Sequence, residues 1–269
     1  MPSANQGSSA RLEGDEQRIL RNLSGRIADE LDGPTIVPLD YPRAPLRLVV
    51  SSPREVELRT RSCAKEPHTI AWIERELRPG DVFYDIGANI GAYSLVAAAR
   101  LQERGTVVAF EPSYSSFSRL CDNIVLNGLA DVVVPIPLPL AATTGVGTFS
   151  YKRLFPGSES HAVESDLPQH VPTAREPAYR QRALTVRLDD LIATFGLPRP
   201  NHVKLDVDGA ELVVLSGAEE MLDSPELKTL MIEIHEDLEK DVVVLLEQHG
   251  FVLAERHPAS RCWYGLFHR

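Results

Sequence analysis

The sequence predicts an α/β fold, a seven-stranded and mostly parallel sheet with helices on both faces, preceded by a small helical and extended N-terminal cap. Three observations carry this. From Val82 onward, short β-branched and aromatic runs alternate with helix-period segments, the pattern of a parallel sheet wrapped by crossover helices. Four of the runs end at acidic or imidazole side chains before a turn: Asp85, Glu111, Asp206, and Glu233 with His235. At 269 residues, with 43% of them hydrophobic, the chain can bury one large core.

In chain order, residues 1–14 are small and polar and are expected to be a disordered tail. Residues 15–65 are expected to form the cap. Within it, Ile19, Leu20, Leu23, Ile27 and Leu31 fall on one face of a helix over 16–31, whose apolar stripe suggests a homodimer contact. Five prolines from Pro34 to Pro53 then favour extended chain, with a strand available at Leu46–Val50. Residues 66–269 are expected to be the main domain. A helix over Thr69–Leu77 stops at Pro79-Gly80. Strands follow at Val82–Tyr84, Thr106–Phe110 and Val132–Ile136, separated by helices from Tyr93 and over Ser115–Leu126. Phe149–Ala183 reads as irregular, and a loop that long inside a domain suggests a lid over an acceptor site. Beyond it come a helix at Val186–Phe195, strands at His202–Leu205 and Thr229–Ile234, and helices at Glu211–Leu222 and Asp237–His249. Two closing strands, Phe251–Ala254 and Trp263–Phe267, are near enough to pair antiparallel.

The net charge of −10 argues against general affinity for nucleic acid or anionic membranes, which rests on phosphate neutralisation. No apolar run approaches the ~18 residues of a membrane span, and Met1–Ala10 has no signal-peptide pattern. Cys63, Cys121 and Cys262 are widely spaced, without a CxxC pair, and fit a reducing compartment. A cytoplasmic protein without membrane or nucleic-acid partners is expected.

In a parallel sheet, ligands sit at the carboxyl ends of the strands where strand order reverses. Asp85-Ile-Gly-Ala-Asn-Ile-Gly91 supplies a strand–turn–helix there, with Gly87 and Gly91 free to take positive φ and the helix N-terminus facing the turn. Glu111, at the end of the next strand, offers two acceptor oxygens to a ribose diol. The spacing Gly87-x-x-x-Gly91 is not the G-x-G-x-x-G of dinucleotide sites, and a Tyr-x-x-x-Lys pair is missing, so an NAD(P)-linked oxidoreductase is disfavoured.

With Asp85 ahead of it, the turn resembles the cofactor motif of Rossmann-like S-adenosylmethionine methyltransferases. DIGANIGAYSL, FEPS, NGL, VKLDVDGAE with the following Gly217-Ala218, and MIEIH, in that order, resemble the FkbM family of methyltransferases from about Glu66 to the C-terminus. The resemblance implies a class I methyltransferase fold, S-adenosylmethionine as donor with S-adenosylhomocysteine as product, and O-methylation of a sugar, oligosaccharide or glycosylated natural product. A macrolide or polyketide hydroxyl is the alternative acceptor. It also implies that Asp85, Gly87, Asn89 and Gly91 form the cofactor turn and Glu111 takes the ribose, with Ser113 and Ala141 near the adenine edge. More remote readings, methylation of nucleic acid or protein, are disfavoured by the net charge and by the absence of an Asn/Asp-Pro-Pro-aromatic tetrapeptide after the fourth strand.

A sugar hydroxyl is a weak nucleophile at neutral pH, so a general base is expected beside the methyl. Asp206, which also faces the cofactor, Asp208 and His235 are the candidates. Asp206, Asp208 and Glu233 also offer hard oxygen ligands, the chemistry of a Mg²⁺ site. Tyr151 and His161 of the long loop, and Glu211, are expected to touch the acceptor.

Overall fold

The computed structural model describes residues 34–102, 104–159, 161–170 and 177–269. The expected tail at 1–14, the helix expected over 16–31 with its dimer contact, and residues 160 and 171–176 of the long loop lie outside the described residues.

The chain opens on an antiparallel hairpin, β1 (Thr35–Pro38) and β2 (Arg47–Val50). Three helices follow: α1 (Pro53–Arg59), α2 (Ser62–Lys65) and α3 (Pro67–Glu76). Ser52 caps α1 by accepting from the Glu55 N–H at 3.2 Å, and Pro53 supplies the preset φ of a first helical position. The alternating part then runs β3 (Val82–Ile86), α4 (Ala92–Leu101), β4 (Thr106–Phe110), α5 (Tyr114–Leu126) and β5 (Val133–Ile136). A second small sheet is built from β6 (Gly145–Tyr151), β7 (Ala162–Val163) and β8 (Tyr179–Thr185). The chain returns through α6 (Leu188–Phe195), β9 (His202–Leu205), α7 (Glu211–Leu215), α8 (Glu219–Leu222), β10 (Thr229–His235), α9 (Glu239–Gln248), β11 (Val252–Pro258) and β12 (Cys262–His268).

The main sheet has seven strands in the order β11-β12-β10-β9-β3-β4-β5. Every pair is parallel except the two made by β12, which runs antiparallel to both β10 and β11. The chain winds from β3 outward to β5 and returns to β9 on the other side of β3. The order therefore reverses between β3 and β9, and a crevice opens at their carboxyl ends. Alternation along the strands feeds two cores, one on each face: Phe83 and Val107 join Leu95 and Trp72, while Tyr84 and Val108 join Val203 and Ile232. This is the class I methyltransferase architecture expected from the sequence.

Leu39, Leu46, Leu48 and Val50 lie in the same core cluster as Phe83, Leu95 and Val107, so the described part of the cap shares the sheet's core. Asn123 of α5 clasps it further: Asn123 Oδ1 accepts from the Val49 N–H at 2.7 Å, and Asn123 Nδ2 donates to the Ile90 carbonyl at 2.8 Å.

Two local expectations are corrected. The segment from Phe149 to Ala183 is not irregular throughout; β6 and β8 pair antiparallel in unbroken register from Gly145↔Thr185 to Tyr151↔Tyr179. Buried Phe149 and Tyr151 alternate with outward Thr148 and Ser150, a period-two signal hidden among arginines that lie on the open face. The helix expected over 211–222 is broken at Ser216-Gly217. A Cβ on Gly217 would stand 2.1 Å from the Ala141 carbonyl oxygen, so the break lets two backbones touch. Among the described residues no helix is long and apolar enough to cross a membrane.

Candidate active site

A cavity lies over the carboxyl ends of β3, β4, β9 and β10. Its floor is the turn Gly87–Ile90 and the first residues of α4; Glu111 and Pro112 close one side, and Lys204, Asp206 and Glu233 the other. Phe149, Ser158, His161 and Val163 of the second sheet roof it, and Arg59, Ser62, Lys65 and Glu66 of the N-terminal helices wall its mouth.

The turn is held by main chain. Gly87 N–H and Ala88 N–H both donate to the Phe110 carbonyl, at 3.0 and 2.9 Å. Gly87, Asn89 and Gly91 all take positive φ, +85°, +52° and +90°. The glycines serve chain packing: a Cβ at Gly87 would stand 1.8 Å from the Asp206 carbonyl oxygen, and one at Gly91 would stand 2.5 Å from Leu120 Cδ1. Removing both Cβ atoms seats β3 against the β9 end and α5, which leaves the turn's remaining surface to the cavity.

Glu111 is buried at the end of β4 and is held by two backbone donors, the Asn89 N–H on Oε2 and the Ser113 N–H on Oε1, each at 2.8 Å. Each oxygen keeps an acceptor position for a ligand hydroxyl. Burial pushes its carboxyl up to about 7, against the lowering pull of the two N–H groups. Asn89 reaches across to the roof, its Nδ2 donating to the Ser158 carbonyl at 3.0 Å.

The opposite side is built from side chains. Lys204 projects from β9 and is buried. Its Nζ is 2.9 Å from Asp206 Oδ2 and 4.0 Å from Asp85 Oδ1, and it lies 4.9 Å from the centre of the Tyr93 ring. Burial opposes its charge, but Asp206, Asp85 and Glu66 together hold it above the ordinary lysine range. Burial likewise opposes charge on Asp206, and the Lys204 ammonium overcomes it, so the Asp206 carboxyl stays below its usual value. Glu233 differs. Burial, then the neighbouring Asp206 and Glu211, push it up to about 9, so it carries its proton at neutral pH. Tyr264 Oη and Cys262 Sγ both donate to its Oε1, at 3.1 and 3.2 Å.

The structure brings Gly87, Asn89, Glu111, Asp206, Asp208 and His161 to the cavity wall, with Glu233. It places the remaining expected residues behind the wall or beside it. Asp85 is fully buried, accepts from Ser94 Oγ at 2.6 Å and leaves Oδ1 without a hydrogen-bond partner. Burial raises its carboxyl, with Lys204 opposing. Gly91 supports the turn from below. Ser113 acts through its N–H on Glu111, and Leu138–Leu140, not Ala141, lines the cavity. Glu211 is turned into its own loop, where Oε1 accepts from the Val207 and Gly209 N–H groups at 3.1 and 3.0 Å. Tyr151 is buried beneath Phe149 and His161 and donates to Gln181 Oε1 at 2.8 Å. His235 sits off the wall, its ring stacked on His170 at 4.0 Å.

The Mg²⁺ expectation is not supported. An ammonium already neutralises Asp206, and a Glu233 that holds its proton is a poor ligand for a hard cation. Sequence reading missed Glu66, Tyr93 and Tyr264, and took Lys204 only as satisfying local charge beside Glu233. The available signal was Lys204 itself, a charge inside the four-residue strand HVKL that the sheet buries on both faces.

Residues 85–253 match the family described as "Methyltransferase FkbM domain". The chain belongs to the FkbM methyltransferase family. It is 29% identical over 203 residues to the hexuronic acid methyltransferase AglP of Haloferax volcanii, covering 75% of this chain and 76% of that protein. It is 33% identical over 205 residues to the 31-O-demethyl-FK506 methyltransferase FkbM of Streptomyces tacrolimicus, covering 68% of this chain and 77% of that one. A solved precorrin-6y C5,15-methyltransferase from Geobacter metallireducens GS-15 superposes with a TM-score of 0.46 at 14% identity, covering 76% of this chain and 86% of that one. As an FkbM-family protein, the chain is an S-adenosylmethionine-dependent methyltransferase. Its residues fit that donor: Glu111 is poised for a diol, the Phe110 and Leu138–Leu140 wall is apolar, and the charged end near Lys204 and Glu66 suits an amino-acid tail.

Proposed function

We propose that this FkbM-family enzyme methylates a hydroxyl of a sugar, an oligosaccharide or a glycosylated natural product. The donor supplies a methyl group already activated on a sulfonium, so the protein's task is alignment and proton removal. The observation that carries the reading is Asp206. Its carboxylate lies on the cavity wall beside the Gly87 turn, kept ionised by Lys204 on Oδ2. As a carboxylate, hydrogen-bonded also by Glu233, it would accept the hydroxyl proton as the oxygen attacks. Glu111 would anchor the ribose, and Asn89 would hold the turn against the roof. Glu66 and Lys204 would face the amino-acid tail, with Asp85 fixing the α4 start through Ser94.

The β6–β8 sheet with residues 152–159 and 161–170 would serve as the acceptor lid, presenting Phe149 and His161 to a sugar face while Tyr151 braces both. Burial holds the His161 imidazole down at about 4, so it is a neutral hydrogen-bonding group. A macrolide or polyketide alcohol is the second reading, supported by the apolar roof residues and by the relative that acts on 31-O-demethyl-FK506. The setting consistent with three free thiols is the cytoplasm.

The test is a transfer assay with methyl-labelled donor across uronic acids, neutral sugars, oligosaccharides and macrolide alcohols, with product NMR to locate the methyl. A new O-methyl signal on a sugar supports the reading. Transfer only to nitrogen, or only to protein or nucleic acid, overturns it.

A further inference from the structure

We propose that His170, His235 and Asp237 form a binding site for a divalent transition ion of the Zn²⁺ type. The three come from two parts of the chain, the end of the segment after β7 and the end of β10 with the turn that follows it. One ligand atom from each lies within 4.8 Å of the other two. The His170 Nδ1 to Asp237 Oδ2 distance is already 2.9 Å. Both ring nitrogens of His235 are withdrawn from solvent and have no hydrogen-bond partner; the nearest acid, Glu233 Oε2, is 3.9 Å away. Buried polar atoms are rarely left unsatisfied, and a half-buried imidazole whose two nitrogens are both withdrawn and open, between another imidazole and a carboxylate, points to a missing ligand.

The donor set chooses the ion. Two imidazoles and one carboxylate suit Zn²⁺, Co²⁺ or Ni²⁺, whereas Mg²⁺ wants oxygen. Tetrahedral Zn²⁺ places its ligand atoms ~3.4 Å apart, given metal–ligand bonds of about 2.1 Å. The widest pair, within 4.8 Å, therefore needs to close by up to about 1.4 Å, and the His170–Asp237 pair at 2.9 Å to open by about 0.5 Å. The two rings stack within 6° of parallel, and one ion cannot lie in both ring planes, so binding must turn one imidazole about its Cβ–Cγ bond. Three protein ligands leave a coordination position open to water or to a ligand oxygen.

The consequence reaches the methyl-transfer cavity. His170 N–H donates to the Gly209 carbonyl at 2.9 Å, and a Cβ on Gly209 would stand 2.6 Å from His170 Cβ. An ion held here would fasten the segment ending at His170 to β10 and, through Gly209, steady the turn that carries Asp206 and Asp208.

The experiment uses the full chain, stripped with chelator and titrated with Zn²⁺ or Co²⁺. Metal content after gel filtration and the visible absorption of the Co²⁺ form are the readouts, and neither depends on the acceptor. One equivalent should bind. His170→Ala and His235→Ala should each weaken binding by at least ~10-fold, the low end for losing even an outer partner of a metal ligand. Melting curves in chelator, unchanged in His170→Ala, separate lost ligation from lost folding. Failure of the wild-type chain to retain an equivalent, or an unchanged Co²⁺ spectrum in the His170→Ala/His235→Ala double variant, overturns the site. Either result leaves the methyltransferase reading intact.

Discussion

The two sides of the cavity are made by different means. On the β3–β4 side, geometry is fixed by main chain: Asn89 and Ser113 N–H groups hold Glu111, and the Phe110 carbonyl holds the turn. On the β9–β10 side it is fixed by side chains, Lys204 to Asp206 and Asp85, and Tyr264 and Cys262 to Glu233. A backbone-built site depends on where glycine is allowed and on little else. A side-chain-built site depends on charge balance among residues far apart in sequence. The first should fail by steric displacement, the second by electrostatic imbalance.

The largest effect should come from unbalancing the side-chain half. Lys204→Met keeps the length of the stem and removes the charge, leaving Asp85, Asp206 and Glu66 facing one another in a buried setting. Breaking a buried ion pair from one side costs about 3–5 kcal/mol. Chemical denaturation should show a loss of that size, with methyl transfer abolished. Wild-type stability in this variant would mean that the acidic cluster does not need its cation.

Next is the backbone half. Gly87→Ala places a Cβ 1.8 Å from the Asp206 carbonyl oxygen at a φ of +85°. The conformational strain alone is about 1–3 kcal/mol, and the clash pushes β9's end away from β3. Donor affinity by calorimetry should fall on the order of 100-fold, ~2.7 kcal/mol. Glu111→Gln is subtler. One of its two terminal atoms becomes an NH₂ donor facing the Asn89 or Ser113 N–H, both donors themselves. Affinity should drop about 10-fold, some 1.4 kcal/mol, and the two facing donors should lower the melting temperature as well.

The same contrast explains what the sequence disclosed. The strand ends and the glycine spacing are local, so the parallel sheet, its order-reversal crevice, Asn89 and Glu111 could be read from consecutive residues. Lys204, Glu66, Tyr93 and Tyr264 meet only after β9, α3, α4 and β12 are assembled, and nothing in their local sequence states that meeting. Asp85 and Glu211 were legible as important, but their direction was not: both turn inward, to Ser94 and to the 207–209 turn. The β6–β8 hairpin was obscured because its buried positions, such as Phe149 and Tyr151, are interleaved with charged and polar residues. Gly217 lies inside the helix expected over 211–222, and only the packed Ala141 carbonyl reveals why the helix ends there.

The smallest effect tests whether Glu233 works as a neutral acid. Gln has the shape of a protonated Glu. In Glu233→Gln, the side-chain oxygen still accepts from Tyr264 and Cys262, and the NH₂ replaces the acid proton toward Asp206. The folded carboxyl sits at about 9, well above the ordinary 4.5. Between those two values the unfolded chain has released the proton while the folded chain keeps it, so the folded state binds more protons and stability falls as pH rises. The contribution is complete below the unfolded value and is lost as pH climbs toward the folded one. Glu111 and Glu211, raised to about 7 and about 8, slope the same way and stay in the variant. His68, His161 and His202, held down at about 4, slope the opposite way below about 6.5 in both proteins, so the difference between the proteins is the readout: from pH 5 to pH 9 Glu233→Gln should lose stability relative to its pH 5 value less than the wild type does. The two should match near pH 5 and separate in favour of the variant near pH 9; each unit of displacement is worth about 1.4 kcal/mol. Identical pH profiles would mean that Glu233 is ionised in the folded enzyme, and that the β9–β10 side carries one more negative charge than its single lysine balances.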